Sequence, residues 1–91
     1  RTLPGSPDIV FVRARTVVFV DGDFWHGRDF DAWKEKLQPF WRAKIERNLE
    51  RDAQNVADLE AAGWKVYRAW EKDIKRRLDE VCADIEALLR T

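Results

Sequence analysis

Two short apolar runs open the chain, Ile9-Val10-Phe11-Val12 and Val17-Val18-Phe19-Val20, with only Arg13-Ala14-Arg15 and Thr16 between them. Runs of that length rich in β-branched residues read as strands. So brief a polar break joins the two as a tight hairpin, and the lack of alternation predicts cover on both faces. Pro4, Gly5 and Pro7 make the preceding residues an approach loop. Beyond Gly27 the period lengthens: Phe30, Trp33 and Leu37 predict a short helical or irregular segment over residues 29–38, and Pro39 breaks it or begins the next helix. A long helix follows from Phe40 to Ala62, stopped at Gly63, with Trp41, Ile45, Leu49, Val56 and Leu59 on its buried face. Trp64 to Trp70 is a third strand, parallel to the second through a right-handed crossover. Ile74, Leu78, Val81, Ile85 and Leu88 then mark one C-terminal packing helix, with Cys82 a small core residue beside that stripe. The fold class is α/β.

The polar residues that interrupt this pattern carry the chemistry. The second strand ends in Asp21-Gly22-Asp23-Phe24-Trp25-His26-Gly27, where the two glycines let the backbone turn tightly or approach a ligand. A hairpin turn near Ala14 places Asp8 opposite Val20 or Asp21, with roughly 5 Å between Cβ atoms. Like charges facing each other destabilise a hairpin, so this pairing suggests a cation beside them. A plainer reading makes Asp8 a cap after Pro7 and Asp21 a turn residue. On the long helix, Asp52 falls in the middle of the apolar stripe and Asn48 at its edge. A carboxylate there is costly unless paired. Either it forms a buried ion pair with Arg68 or Lys65, or it faces the strand-end carboxylates. Phe40, Lys44, Arg47 and Arg51 form a neighbouring basic stripe that is either solvated or able to hold phosphates.

Composition narrows the classes without choosing among them. At 91 residues the chain, residues 1–91, is expected to be a single domain with a modest core. Its 45% apolar and 37% charged residues favour a folded globule over disorder. Seventeen basic residues balance seventeen acidic ones, so any nucleic-acid site must be local. The single cysteine excludes an internal disulfide and a Cys-rich zinc site and suits a reducing compartment. No apolar run has the length of a membrane span, and no membrane partner is expected.

Leu3-Pro4-Gly5-Ser6-Pro7-Asp8-Ile9-Val10-Phe11, Phe19 to Gly27, Phe40-Trp41 with Lys44-Ile45, Asn48 and Glu50-Arg51-Asp52, Gly63-Trp64-Lys65-Val66 and Trp70-Glu71 together resemble the very short patch repair endonucleases, in order and spacing over most of the chain. That family belongs to the restriction-endonuclease-like fold, the PD-(D/E)xK nucleases, and nicks DNA at T:G mismatches left by deamination of 5-methylcytosine, using magnesium. The resemblance implies that Asp8 is the central metal-binding carboxylate and that the backbone carbonyl of Val20 is a second ligand. His26 and Asp52 are implied to position phosphate and water. Asp21, as ligand or base, stands where the best-known member has a histidine. Phe24, Trp25 and His26 correspond to a wedge inserted beside the mismatch, with Trp41 next to it, and Lys44, Arg47, Asn48 and Arg51 fall on the DNA-facing helix. The implied partner is double-stranded DNA, and the implied setting is a monomer in the bacterial cytoplasm, at the nucleoid.

One departure is large. The family's structural zinc is held by three cysteines and a histidine, and the matching positions here are Asp23, Arg28, Phe30 and Lys72. The expectation is therefore Mg²⁺ without structural zinc, with the loop held by packing or by an ion pair such as Asp23 with Arg28. The family's N-terminal DNA-gripping segment is also expected to be missing. Two other readings stay open: a restriction-type nuclease indifferent to mismatches, and a non-catalytic DNA-binding remnant.

Overall fold

A computed structural model describes residues 3–91 and is mixed α/β, a three-stranded sheet with four helices. Strand β1 (Ile9–Phe11) pairs antiparallel with β2 (Thr16–Asp21), and β2 pairs parallel with β3 (Lys65–Trp70), in the order β1-β2-β3. Between β2 and β3 lie α1 (Phe30–Trp33), a 3₁₀ turn (Lys34–Lys36) and α2 (Pro39–Ala61). Two helices, α3 (Glu71–Arg76) and α4 (Leu78–Leu89), complete the chain. This is the topology of a small restriction-endonuclease-like core, as expected. Among the described residues no helix is long and apolar enough to cross a membrane.

Central β2 is the most buried element, because it alone has a strand on each side and α2 over one face. Val17, Phe19 and Leu59 form the core cluster, joined by Leu3, Trp64 and Val66. Helix α2 begins with Pro39 at its first turn, where the missing N–H is no loss. Its end is closed by Gly63 at φ 91° and by Arg15, whose Nη2 donates to the Ala62 carbonyl at 2.8 Å. A guanidinium at that position also favours the negative end of the helix dipole. Fully buried Leu59 anchors this end, so Leu59→Ala is expected to cost about 2–5 kcal/mol, read from urea denaturation.

Several expectations need correction. β1 is not covered on both faces: Ile9 and Val10 are exposed, because β1 is an edge strand. Its register is Ile9↔Val18 and Phe11↔Thr16, and one further step puts Asp8 beside Phe19, not Val20 or Asp21. The four-residue turn Val12–Arg15, with Arg15 at φ 53°, is what shifts the ladder. The C-terminal helix is two helices, broken at Arg77 (φ −135°, ψ 43°). Across that break Leu78 is turned out to solvent, while Val81 stays buried. Cys82 is exposed, not a core residue.

Candidate active site at the strand ends

Strand β2 delivers its last residues to a cleft of about 450 Å³ beside α2. Asp8, Val20, Asp21, His26, Arg51, Asp52, Asn55 and Arg68 line it. Past the start of β1 the Val20 N–H has no strand partner, and it donates instead to Asp8 Oδ2 at 2.7 Å. N–H and C=O of one strand residue point the same way, so the Val20 carbonyl lies on the same sheet edge as the Asp8 carboxylate. The sequence therefore brings these two oxygen donors together by a route different from the predicted cross-strand pairing.

His26 stands at the far side. The loop that carries it folds back on α2, with Gly27 at φ 69° and so near Leu49 that a Cβ there would approach its methyl to 3.0 Å. Asn48 Nδ2 donates to the Trp25 carbonyl at 2.8 Å, tying the same loop to α2. Held this way, His26 Nδ1 meets Asp52 Oδ2 at 2.6 Å. An ionised carboxylate only accepts, so Nδ1 carries the proton and Nε2 faces the cleft, 3.8 Å from Asp21 Oδ1.

Asp21 is buried, and both its oxygens are engaged by Arg68: Nε donates to Oδ2 at 2.6 Å and Nη2 to Oδ1 at 3.0 Å. The guanidinium lies over the Phe19 ring, 4.3 Å from its centroid, and approaches Asp52 Oδ1 at 3.7 Å. Asp52 thus pairs with His26 at the strand ends and also stands near Arg68. Arg51 Nη2 lies 3.8 Å from Asp52 Oδ1 at the cleft mouth, and Lys44 and Arg47 are exposed farther along α2. The sequence offers Arg68 only as a partner of Asp52. The parallel register Phe19↔Arg68, with Asp21 on the same face as Phe19, is the signal that identifies its main partner.

The aromatic residues of the loop sit beside the cleft. Phe24 and Trp25 are 42% and 46% exposed and Trp41 38%, too much for rings whose role is core packing. Phe24 packs edge-on to Trp25 at 4.9 Å and stacks on Trp33 at 5.4 Å, and Trp25 lies 5.7 Å from Trp41.

Beneath the loop, the expected Asp23–Arg28 pair forms at 3.1 Å and extends to Asp73 at 3.1 Å. The Lys72 N–H donates to Asp23, and the Arg28 guanidinium stacks over Trp70. Burial raises the Asp23 carboxyl, but the hydrogen bonds from Arg28 and the Lys72 N–H outweigh it and hold the group below its ordinary value. Asp73 is likewise raised by burial and lowered by more through Arg28 and Arg77. A depressed folded-state value stabilises the fold at pH above the unfolded carboxylate value of about 3.9 and loses that contribution as pH falls through the lowered one. Thermal melts should therefore drop on acidification below about pH 4, and Arg28→Met should show a weaker drop.

The strand-end cluster of carboxylates, histidine and arginine sits on a restriction-endonuclease-like core. The family model for DNA mismatch endonuclease Vsr matches residues 1–32. Type II nicking enzyme V.HpaIIP of Haemophilus parainfluenzae is 36% identical over 89 residues, covering 94% of this chain and 63% of that protein. Type II nicking enzyme V.NmeDIP of Neisseria meningitidis serogroup C is 44% identical over 73 residues, 77% of this chain and 49% of that protein. DNA mismatch endonuclease Vsr of Escherichia coli is 37% identical over 78 residues, 84% of this chain and 50% of that protein. Over most of its length the chain is similar to proteins of the Vsr family. It spans about half to just under two thirds of the length of these relatives.

Proposed function

We propose that the protein is a Mg²⁺-dependent endonuclease that nicks one strand of double-stranded DNA at T:G mismatches, in very short patch repair. The observation that carries this reading is the His26–Asp52 pair, 2.6 Å apart and opening on the same cleft as Asp8. The relatives' names, nicking enzyme and mismatch endonuclease, point the same way.

The donor set suits a hard divalent cation. Asp8 and the Val20 carbonyl offer oxygen only. Mg²⁺ is commonly held by one or two carboxylates, with waters and substrate phosphate completing the shell. Bound there, it would supply Lewis-acid stabilisation of the phosphate. The rest falls to the chain's own groups. Asp52 fixes the His26 ring through Nδ1, leaving Nε2 free to orient water and accept its proton. Arg51, Lys44 and Arg47 place positive charge along α2, where the DNA backbone would lie. Phe24, Trp25 and Trp41 present apolar faces that can enter a base step, and opening a mismatched step costs less than opening a paired one. The protein acts as a monomer at the bacterial nucleoid in this reading.

The test is nicking of matched and T:G duplexes by the purified chain with Mg²⁺ or EDTA. Nicks in the T:G duplex that EDTA abolishes are expected. Equal nicking of both duplexes would favour a restriction-type nuclease without mismatch preference, and DNA binding with no nicking under any metal would favour a non-catalytic DNA-binding protein.

A further inference from the structure

Helix α2 carries three side-chain amides, Asn48, Gln54 and Asn55, and two of them have partners. Asn48 ties down the Trp25 loop, and Gln54 Nε2 donates to Asp58 Oδ1 at 2.8 Å on the exposed side of the helix. Asn55 is half-buried in the wall of the cleft, and among the described residues its amide makes no hydrogen bond. It follows Asp52 by three residues and Arg51 by four, spacings that make all three neighbours on the helix surface. An amide facing a cleft keeps two N–H donors for whatever enters it. The approach loop is pressed onto this residue. Gly5 has φ 77°, and a Cβ there would come within 3.0 Å of Asn55 Nδ2 and 3.1 Å of Phe19 Cε1, so glycine alone lets the backbone lie so close. Ser6 comes next at φ 51°, a left-handed conformation unfavourable for a residue with a Cβ. Glycine would sit there without strain; what serine adds is a hydroxyl on the cleft wall, two residues before Asp8.

The cleft therefore has two neutral donors on its Asp8 side, across from His26, and the Arg51 guanidinium, 60% exposed, at its mouth. Amide, hydroxyl and guanidinium together suit the two free oxygens of a phosphodiester, which only accept. We infer that Asn55 and Ser6, with Arg51, hold a phosphodiester of the bound strand adjacent to the one served by His26. This rests on the DNA-nicking reading of the cleft and adds to it a second grip on the same strand. Such a contact sets the register of the backbone and carries no base identity, so matched and mismatched duplexes should depend on it equally.

Fluorescence anisotropy with end-labelled T:G and matched duplexes in EDTA tests this apart from cleavage. Asn55→Ala should bind both duplexes roughly tenfold more weakly, the loss of a hydrogen bond to a charged group. Asn55→Asp keeps the shape but sets an anion against the phosphate, and should bind more weakly still. Ser6→Gly should also lose affinity for both duplexes while melting no lower than wild type, since glycine suits the left-handed backbone. A residue that served only the fold would not separate affinity from stability in this way. Gln54→Ala, next to Asn55 but paired with Asp58, should bind as wild type does. Wild-type affinity in folded Asn55→Ala overturns the inference, as does a loss confined to the T:G duplex, which would mark a base contact, or an equal loss in Gln54→Ala. Should Asn55→Ala fail to fold, Ser6→Gly decides alone: weakened binding supports the inference, and wild-type affinity overturns it. A wild type that binds neither duplex overturns the DNA-nicking reading itself, whereas a binding wild type with an unaffected Asn55→Ala removes the inference alone.

Discussion

Asp52→Asn is expected to slow nicking by roughly 10²–10⁴-fold, the usual contribution of a positioned acid–base group, while the protein stays folded and binds DNA. The amide has nearly the same shape but accepts at only one of its two terminal atoms. It no longer holds His26 Nδ1 as an obligate donor, so the ring can present a protonated Nε2 to the water. The competing expectation is structural. Were Asp52 only half of a buried ion pair, its loss would cost about 3–5 kcal/mol through a stranded partner. The geometry argues against that extreme, because Arg68 is 3.7 Å from Asp52 but makes its two short bonds to Asp21. Urea denaturation and single-turnover nicking on the same preparation separate the two outcomes. A large loss of stability with full activity in the folded fraction would show that Asp52 supports the fold and not the reaction.

Phe24→Ala combined with Trp25→Ala should leave Mn²⁺ binding intact and abolish any preference for T:G over matched DNA. The two rings are half exposed in the free protein, and fully burying such side chains would contribute about 1.5–3 kcal/mol each. Lone exposed aromatics need no explanation, but here two consecutive rings continue into Trp33 and Trp41 beside the histidine. Contacts with Trp33 and Trp41 hold the rings in place, so under the proposed function they would enter a base step without first being ordered. Rates on both duplexes must be compared at one salt concentration, because phosphate contacts make affinity steeply salt-dependent. A preference unchanged in the double variant would place recognition elsewhere in the protein.

The elements of this fold are legible in the sequence because their signals are local. Four consecutive β-branched and aromatic residues identify β2, and Pro39 and Gly63 delimit α2 within a residue of its observed ends. What the sequence conceals depends on the relation between elements. The hairpin register depends on a left-handed conformation at Arg15, which nothing in Arg13-Ala14-Arg15 announces. Val12 reads as strand but belongs to the turn, and that single residue moves Asp8 from Asp21 to the Val20 N–H. Arg77 breaks a helix whose apolar stripe runs on unbroken, because the chain must turn after α3 while Asp73 pairs with both Arg28 and Arg77. Arg68 is the most instructive omission: a basic residue inside a strand invites a solvent-facing reading, whereas the parallel ladder sets it against a buried aspartate.

The two shortest ionic contacts of the cleft join residues far apart along the chain, His26 to Asp52 across 26 positions and Asp21 to Arg68 across 47. Neither exists in a hairpin alone, nor in a hairpin with its loop; the first waits until α2 has docked and the second until β3 has closed the sheet. The reactive group is thus a late product of folding. A chain that has not yet formed β3, or one cut between β2 and β3, can keep the Asp8–Val20 contact of the hairpin without the Asp21–Arg68 pair. For a protein whose proposed substrate is the chromosome, that delay confines the capacity to break a strand to finished molecules.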